Sequence, residues 1–193
     1  MVTKIPTQVR TELGWGRRDS ATTIVSRAPT SDFVSAKGGV MKQGSLDLLQ
    51  DPISRELMQS KIPARLAYVW TDGTPRVVPI WFHWDGKDFV MASPPKAPKL
   101  RALAKNKKVA LTIDDNSFPH KVLLVRGTAR LETVEGIVPE YAAAAERYFG
   151  REQGQAWVGQ LRGMIRSMVR ITVTPEWVGI LDFQTRFPSA LSA

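Results

Sequence analysis

The 193-residue chain contains no cysteine and only two histidines, His83 and His120. The lack of cysteine excludes disulfides, thiolate catalysis and cysteine-ligated metals. The two histidines do not form an HxH or HxxxH pattern, so a zinc site would need carboxylates to complete it. We therefore expect no metal site.

Long apolar runs and familiar catalytic motifs are also missing. No apolar run approaches the roughly 18 residues of a membrane helix, and the first ten residues lack the apolar core of a secretory signal. We therefore expect a cytoplasmic protein without a membrane partner. The chain has no GxGxxG or Walker pattern. Ser117 lies near His120 but without a nucleophile-elbow motif, which argues against hydrolase chemistry.

Positive charge is in excess, with a net charge of +9. Residues 1–44 carry seven Lys/Arg against three Asp/Glu, and residues 96–108 carry six Lys/Arg and no acid. Nucleic acid, an acidic membrane surface or an anionic cofactor could each explain such a balance. The second cluster follows an aromatic, strand-like segment, which favours the cofactor. That segment has no recognisable RNA-binding signature, so nucleic acid is the weaker alternative.

Composition divides the chain into three parts. Residues 1–44 lack periodic apolar pattern and are rich in Ser, Thr, Gly, Lys and Arg. They are predicted to form a flexible basic N-terminal extension, which could alternatively be a partner-binding arm. Residues 45–183 are predicted to form one domain, and residues 184–193 a C-terminal tail.

Within residues 45–183 the apolar spacing predicts a mainly β fold with peripheral helices (α+β). The predicted helices cover residues 53–59, 98–105, 137–149 and 151–168. The predicted strands cover residues 64–71, 76–84, 87–93, 107–115, 120–134, 169–175 and 176–183. Gly127 interrupts the fifth strand and suggests a β-bulge. Closely spaced antiparallel strands with turn signals are typical of a barrel rather than a βαβ sheet.

The loop before the helix 98–105 carries the main candidate binding site. Ser93 offers a hydroxyl, Lys96 and Lys99 offer charge, and the amides around Lys99 and Leu100 lie at a helix N-terminus. Such a set suits a phosphate. The alternative is that residues 96–108 are the solvated basic face of a surface helix.

Pro79 lies in the middle of the predicted strand 76–84 and cannot donate to a sheet ladder. The strand therefore lies at a sheet edge, or one of its sides pairs with something other than a strand, such as a planar heterocycle. Trp81 and Trp84 on the same strand could stack on such a ring or belong to the core.

Residues 45–183 resemble the pyridoxamine 5′-phosphate oxidase-like, flavin/deazaflavin oxidoreductase superfamily, whose members are FMN-binding split β-barrels. The resemblance rests on four stretches taken in order: TDGTPRVVPIWFHWDGKDFVMAS, SPPKAPKLRAL, KKVALTIDD and VRGTARLE. It implies a homodimer with two cofactor sites at the interface. It also implies that FMN, or alternatively the deazaflavin coenzyme F-420, is the cofactor.

The resemblance implies roles for individual residues. The strand from Val78 to Phe82 would lie along the cofactor ring, which adds Ile80 to the candidates. The hydroxyl of Ser93 and the ammonium of Lys99 would bind the phosphate, and Arg76 stands where the oxidase has a phosphate-binding arginine. Two departures argue against oxidation of pyridoxamine phosphate itself. Trp81 replaces a lysine of the oxidase, and Ala97-Pro98-Lys99 replaces its Ser-Arg-Lys.

The resemblance implies an oxidoreductase that transfers hydride or electrons between bound FMN or F-420 and a small conjugated substrate. Because the cofactor carries the chemistry, no catalytic side chain is expected. The alternative is a non-catalytic flavin- or haem-binding module of the same fold.

Overall fold

The computed structural model describes residues 32–34 and 40–184, with side chains from Lys42 onward. Most of two predicted segments lies outside the described residues: the N-terminal extension at 1–31 and 35–39, and the C-terminal tail from 185. None of the helices in the described part is long and apolar enough to cross a bilayer.

The described residues form nine strands, four α-helices and one 3-10 helix. The strands are β1 (Asp32–Val34), β2 (Val40–Lys42), β3 (Ala64–Val69), β4 (Pro75–Ile80), β5 (His83–Trp84), β6 (Phe89–Ser93), β7 (Lys108–Asp114), β8 (Lys121–Glu135) and β9 (Ser167–Asp182). The α-helices are α1 (Pro52–Gln59), α2 (Pro98–Lys105), α3 (Pro139–Phe149) and α4 (Arg151–Met164), and the 3-10 helix covers Leu46–Gln50. The structure thus confirms a mainly β fold with peripheral helices.

Seven strands form one antiparallel sheet in the order β4-β3-β7-β8-β9-β6-β5. Its two edge strands, β4 and β5, are joined by only Trp81 and Phe82. The three Cα-to-Cα steps from Ile80 to His83 span at most about 11 Å, so the sheet must curl until its edges approach each other. No strand pairing joins β4 to β5 or β6, and the barrel is therefore split along this seam.

The core fills the barrel with side chains that alternate along the strands, as the sequence predicted. In β7, Val109, Leu111 and Ile113 are buried while their neighbours are not. Phe82 and Phe89 are the largest fully buried side chains and lie with ring centroids 5.7 Å apart. This packing fixes Phe82 inside the barrel and leaves Trp81, its neighbour, on the other side of the chain.

The prediction of one strand over 76–84 was wrong. The chain leaves the β3 edge after Ile80 and pairs with β6 from His83 onward. A DG turn at Asp85-Gly86 joins β5 to β6, and the Asp85 carboxylate accepts from the amides of Lys87 and Asp88 at 2.8 and 2.7 Å. The edge position predicted from Pro79 is confirmed, because β4 pairs only with β3.

The prediction of separate strands 169–175 and 176–183 was also wrong. They form the single strand β9, in which Pro175 is paired with Gly127 and Trp177 with Arg126. Glu176 is the extra residue of a bulge, so the bulge predicted at Gly127 is confirmed. A Cβ on Gly127 would lie 2.2 Å from the carbonyl oxygen of Thr174, which explains why glycine stands here.

The end of the predicted N-terminal extension is part of the fold. Strands β1 and β2 pair with each other, and the Gly44 amide donates to the Val178 carbonyl at 2.8 Å. The Gln43 amide group donates to the Ile180 carbonyl at 2.7 Å and accepts from the Ile180 amide at 3.1 Å. Residues 43 and 44 therefore extend the edge of the domain beyond the predicted boundary at 45.

Helices α3 and α4 pack against each other through Gly154. A Cβ at this position would lie 2.6 Å from the Cα of Glu146 in α3. Helix α4 ends at Met164, earlier than the predicted 168, and Met168 belongs to β9. Helix α3 also contacts β5 and β6, and this contact places the helix pair against the seam of the barrel.

Candidate functional site

A cavity of about 430 Å³ lies at the seam between β4 and β6, and we call it the seam cavity. Its size is within the range of about 300–1,000 Å³ that is usual for small-molecule sites. The cavity is lined by Pro79, Ile80, Trp81, Ala92, Ser93, Pro94, Lys99, Tyr141, Trp157, Leu161, Ile165 and Met168.

Polar groups occupy one part of the lining, at the end of β6 and the start of α2. Ser93 is only 2% exposed, and it lines the cavity together with Lys99 in the first turn of α2. Pro98 occupies the start of this helix, and no side chain caps it. Ser93 and Lys99 are therefore brought together as predicted from the sequence.

Lys99 is the cation of the seam cavity. Burial lowers the pKa of its ammonium group, and no charged neighbour contributes to the shift. Lys108 and Lys121, by contrast, form salt bridges with Glu176 and Glu56 at 2.8 and 2.7 Å. No carboxylate among the described residues forms a salt bridge with Lys99. A partly desolvated cation without a protein counter-charge is a typical feature of an anion site.

Aromatic side chains form another part of the lining. Trp81 stacks on Tyr148 with ring centroids 4.9 Å apart and planes at 15°. Phe149 contacts Trp81 edge-on at 4.9 Å. The indole N–H of Trp157 donates to the Tyr141 hydroxyl at 3.0 Å. These contacts fix the Trp81 ring from the α3 side, so the wall is held in place by the fold itself.

The structure brings five of the ten candidate residues together at the seam cavity: Pro79, Ile80, Trp81, Ser93 and Lys99. Phe82 is fully buried in the core, and the partly buried Val78 packs against the core cluster. Leu100 is also a core residue, and its amide already donates to the Ala97 carbonyl at 3.0 Å. These three residues support the site through packing.

The two remaining candidates, Arg76 and Lys96, are exposed and lie outside the seam cavity. Arg76 lines a shallow depression on the outside of the sheet together with Arg126, and its guanidinium lies 5.9 Å from the ring centroid of Trp70. Lys96 lines a separate depression beside Arg166.

Two arginines on the long strands β8 and β9 are occupied by contacts elsewhere in the fold. Arg170 is held by salt bridges of 3.1 Å to both Glu132 and Glu140. The Arg126 guanidinium lies over the Trp177 ring at 4.2 Å. Neither arginine lines the seam cavity.

Sequence reasoning did not connect the helices α3 and α4 with the site. The apolar spacing predicted both helices, but it does not say which surface of the domain each helix covers. The side chains that reach the cavity from this part of the chain are those of Tyr141, Trp157, Leu161 and Ile165. The unusual density of aromatic residues on the two helices was the available signal. Among the described residues, no three His, Asp or Glu side chains are grouped so that they could hold a metal ion.

A family model described as pyridoxamine 5′-phosphate oxidase matches residues 51–182. Among solved structures, an F420 reductase is 27% identical, with 65% of this chain and 94% of that chain covered and a TM-score of 0.50. No curated protein matches the sequence.

Two further structures share the fold. A conserved hypothetical protein from Mycobacterium tuberculosis is 17% identical, with 74% of this chain and 91% of that chain covered and a TM-score of 0.55. The haem storage protein HutZ from Vibrio cholerae is 18% identical, with 68% and 93% covered and a TM-score of 0.50. At these identities the likeness shows the fold alone.

Proposed function

The chain belongs to the pyridoxamine 5′-phosphate oxidase family, and from this we propose that the seam cavity binds FMN or coenzyme F-420 in an oxidoreductase. The observation that carries the proposal is that the Lys99 ammonium is partly buried and forms no salt bridge among the described residues. Together with the Ser93 hydroxyl it offers the donors that a phosphate group needs.

The rest of the lining fits the ring to which such a phosphate is attached. Trp81 and Trp157 supply aromatic surface, and Leu161, Ile165 and Met168 supply aliphatic surface. When bound, the flavin or deazaflavin supplies the hydride chemistry. The residues of this chain bind the phosphate, orient the ring and keep water away from it. The substrate we propose is a small conjugated molecule.

The F420 reductase at 27% identity makes the deazaflavin a full alternative to FMN. A haem-binding module is the second alternative, because HutZ has the same fold. The lining of the seam cavity contains no histidine, which is a usual ligand of haem iron. The cavity chemistry therefore favours a phosphorylated flavin or deazaflavin over haem.

Titration of the purified protein with FMN, F-420 and haemin in turn tests the proposal. We expect a saturable change in absorbance with FMN or F-420, followed by reoxidation of the reduced cofactor on addition of a conjugated acceptor such as a quinone. Saturation without turnover by any acceptor would indicate the non-catalytic module. The absence of saturable binding of both FMN and F-420 would contradict the proposal.

The pH dependence of cofactor affinity provides a second prediction. Burial lowers the pKa of Lys99 in the free protein, and a bound phosphate raises it by favouring the charged ammonium. Affinity should therefore be full below the free-protein pKa and fall as the pH rises through it. Titrations from about pH 7 to about pH 10 measure this effect around the ordinary lysine range.

Lys99→Arg is the control for the pH experiment. Arginine stays charged throughout this range, so any decline that it shares with the parent comes from the ionisation of the ligand. We expect the additional decline only in the parent protein. Identical profiles for the two proteins would contradict a role for the Lys99 charge.

We also propose that the protein acts as a homodimer. The outer face of the sheet supports this, because it has a shallow depression whose lining includes the apolar side chains of Ala67, Val69 and Ala110. Val77 on the adjacent edge strand is 63% exposed. A second copy of the chain would remove this apolar surface from water.

A further inference from the structure

A second and larger cavity, of about 680 Å³, lies on the other side of the link between β4 and β5. We call it the Arg147 cavity. It is formed by the 3-10 helix, α1, β5 and α3. Trp81 lines the seam cavity, whereas His83 and Trp84 line the Arg147 cavity. The buried Phe82 lies between them in the chain and separates the two spaces.

The lining of the Arg147 cavity is positively charged. It contains the guanidinium groups of Arg55 and Arg147 and the ring of His83, and it contains no Asp or Glu. Neither arginine forms a salt bridge with a carboxylate of the described residues. The positive charge in this cavity is therefore without a protein counter-charge in the described part of the chain.

Arg147 is held rigidly by the fold. Its guanidinium donates to the carbonyls of Met58 and Phe82 at 3.0 and 2.5 Å, and it lies over the rings of Phe82 and Tyr148 at 4.4 and 4.9 Å. A guanidinium fixed in this way loses little further entropy when it binds a ligand.

A purely structural role explains only part of this arrangement. The two carbonyl contacts connect α3 to the end of α1 and to the seam. The buried Nε atom of Arg147, however, has no hydrogen-bond partner among the described residues, so the two carbonyls do not satisfy all the donors of the guanidinium. Arg55 donates to the neutral Gln50 side chain at 2.7 Å, so this contact does not neutralise its charge.

Apolar surface accompanies these charges. Trp84 and Met58 line the same cavity, together with Leu49. Trp84 is held by Phe89, with ring centroids 4.7 Å apart. A ligand that satisfies both parts of the lining has a flat apolar body and one anionic group. We propose that the Arg147 cavity is a second binding site, separate from the cofactor, for a small aromatic carboxylate.

Calorimetric titration with 2-naphthoate and with 2-naphthamide, its neutral counterpart, tests the proposal on the intact chain. We expect naphthoate to bind about tenfold more tightly than naphthamide, as one charge-assisted hydrogen bond would give. Equal affinity for the two probes would overturn the proposal, because the cavity would then not recognise the anion.

Two variants assign the binding to this cavity. Arg55→Gln should reduce the preference for naphthoate by about three- to tenfold, with naphthamide unaffected. Ala143→Trp fills the cavity without changing its charge and should weaken both probes by at least about tenfold. Arg147 itself is unsuitable for substitution, because its loss would also release the contacts with Met58 and Phe82.

Two controls complete the experiment. Arg162→Gln removes an exposed arginine of α4 that does not line the cavity and should leave both affinities unchanged. Lys99→Met should also leave them unchanged, since Lys99 belongs to the seam cavity. Loss of naphthoate binding in Lys99→Met, or its full retention in Arg55→Gln, would overturn the proposal.

Discussion

Replacing Lys99 with methionine is expected to weaken FMN or F-420 binding by roughly 10- to 100-fold, or about 1.5–3 kcal/mol. The substitution keeps the aliphatic stem and removes the charge. The ligand phosphate then lacks the cation of the seam cavity, although Ser93 remains. Fluorescence titration of the two proteins with the same cofactor measures the difference.

The same substitution should slightly raise the melting temperature of the protein without ligand. Burial lowers the pKa of Lys99 below its ordinary value of 10.5, so folding works against the charged form. The resulting cost in the free energy of folding is largest below the folded-state pKa and disappears as the pH rises to 10.5. A gain in stability together with a loss of affinity is the expected signature of a binding residue.

Lys96→Met is the matched control for Lys99→Met. Lys96 lies three positions earlier in the chain, is exposed, and lines a different depression. We expect it to change cofactor affinity only slightly, through long-range charge. Equal effects of the two substitutions would mean that the basic cluster acts as a diffuse charge, and Lys99 would lose its assignment.

Gly154→Ala is expected to destabilise the protein by about 2 kcal/mol. The new Cβ would lie 2.6 and 2.7 Å from the Cα and N atoms of Glu146, and a helix backbone cannot yield as a flexible side chain can. The displaced α4 carries Trp157 and Leu161 of the seam cavity. Cofactor affinity should therefore fall as well. Urea unfolding followed by tryptophan fluorescence measures the change in stability.

Gly159→Ala is a control in the same helix. Apart from the chain neighbours and the backbone of the same helix, no described atom lies within 4 Å of the Cβ that it would introduce. The substitution should therefore bring only a gain in helix propensity, up to about 1 kcal/mol. We expect it to be neutral or stabilising. If Gly154→Ala and Gly159→Ala unfolded at the same urea concentration, the close packing of α3 on α4 would be contradicted.

Local chemistry was sufficient to predict most of the elements. The alternation in β7, the DG turn after Trp84 and the bulge at Gly127 each follow from residues that are close in the chain. Pro79 also predicted its edge position correctly, because the missing amide hydrogen is a property of the residue itself.

The errors arose where distant residues decide the outcome. Residues 76–84 read as one apolar strand, and nothing within that run marks the point where the chain crosses the seam after Ile80. The predicted strands 169–175 and 176–183 were divided after Pro175. Its partner in the sheet is Gly127 at the bulge, and the β9 ladder continues past it.

The candidate site, like the fold, was predictable only where its residues are close together in the chain. Ser93 and Lys99 lie six positions apart, at the two ends of the short loop between β6 and α2, so the sequence could place them together. Tyr141 and Trp157 reach the cavity only because α3 and α4 pack over the seam. Arg76 was assigned through the resemblance alone, and the structure places it on the outer face of the sheet.

A thermodynamic cycle between Lys99 and the phosphate of the ligand is the most direct test of the account. FMN and riboflavin, which lacks the phosphate, are titrated into the parent protein and into Lys99→Met. For an F-420 protein, the deazaflavin chromophore without its phosphate-bearing tail takes the place of riboflavin. We predict equal riboflavin affinity for both proteins and a coupling of about 1.5–3 kcal/mol that appears only with FMN. Equal losses for the two ligands, or no loss for either, would show that Lys99 does not bind the phosphate.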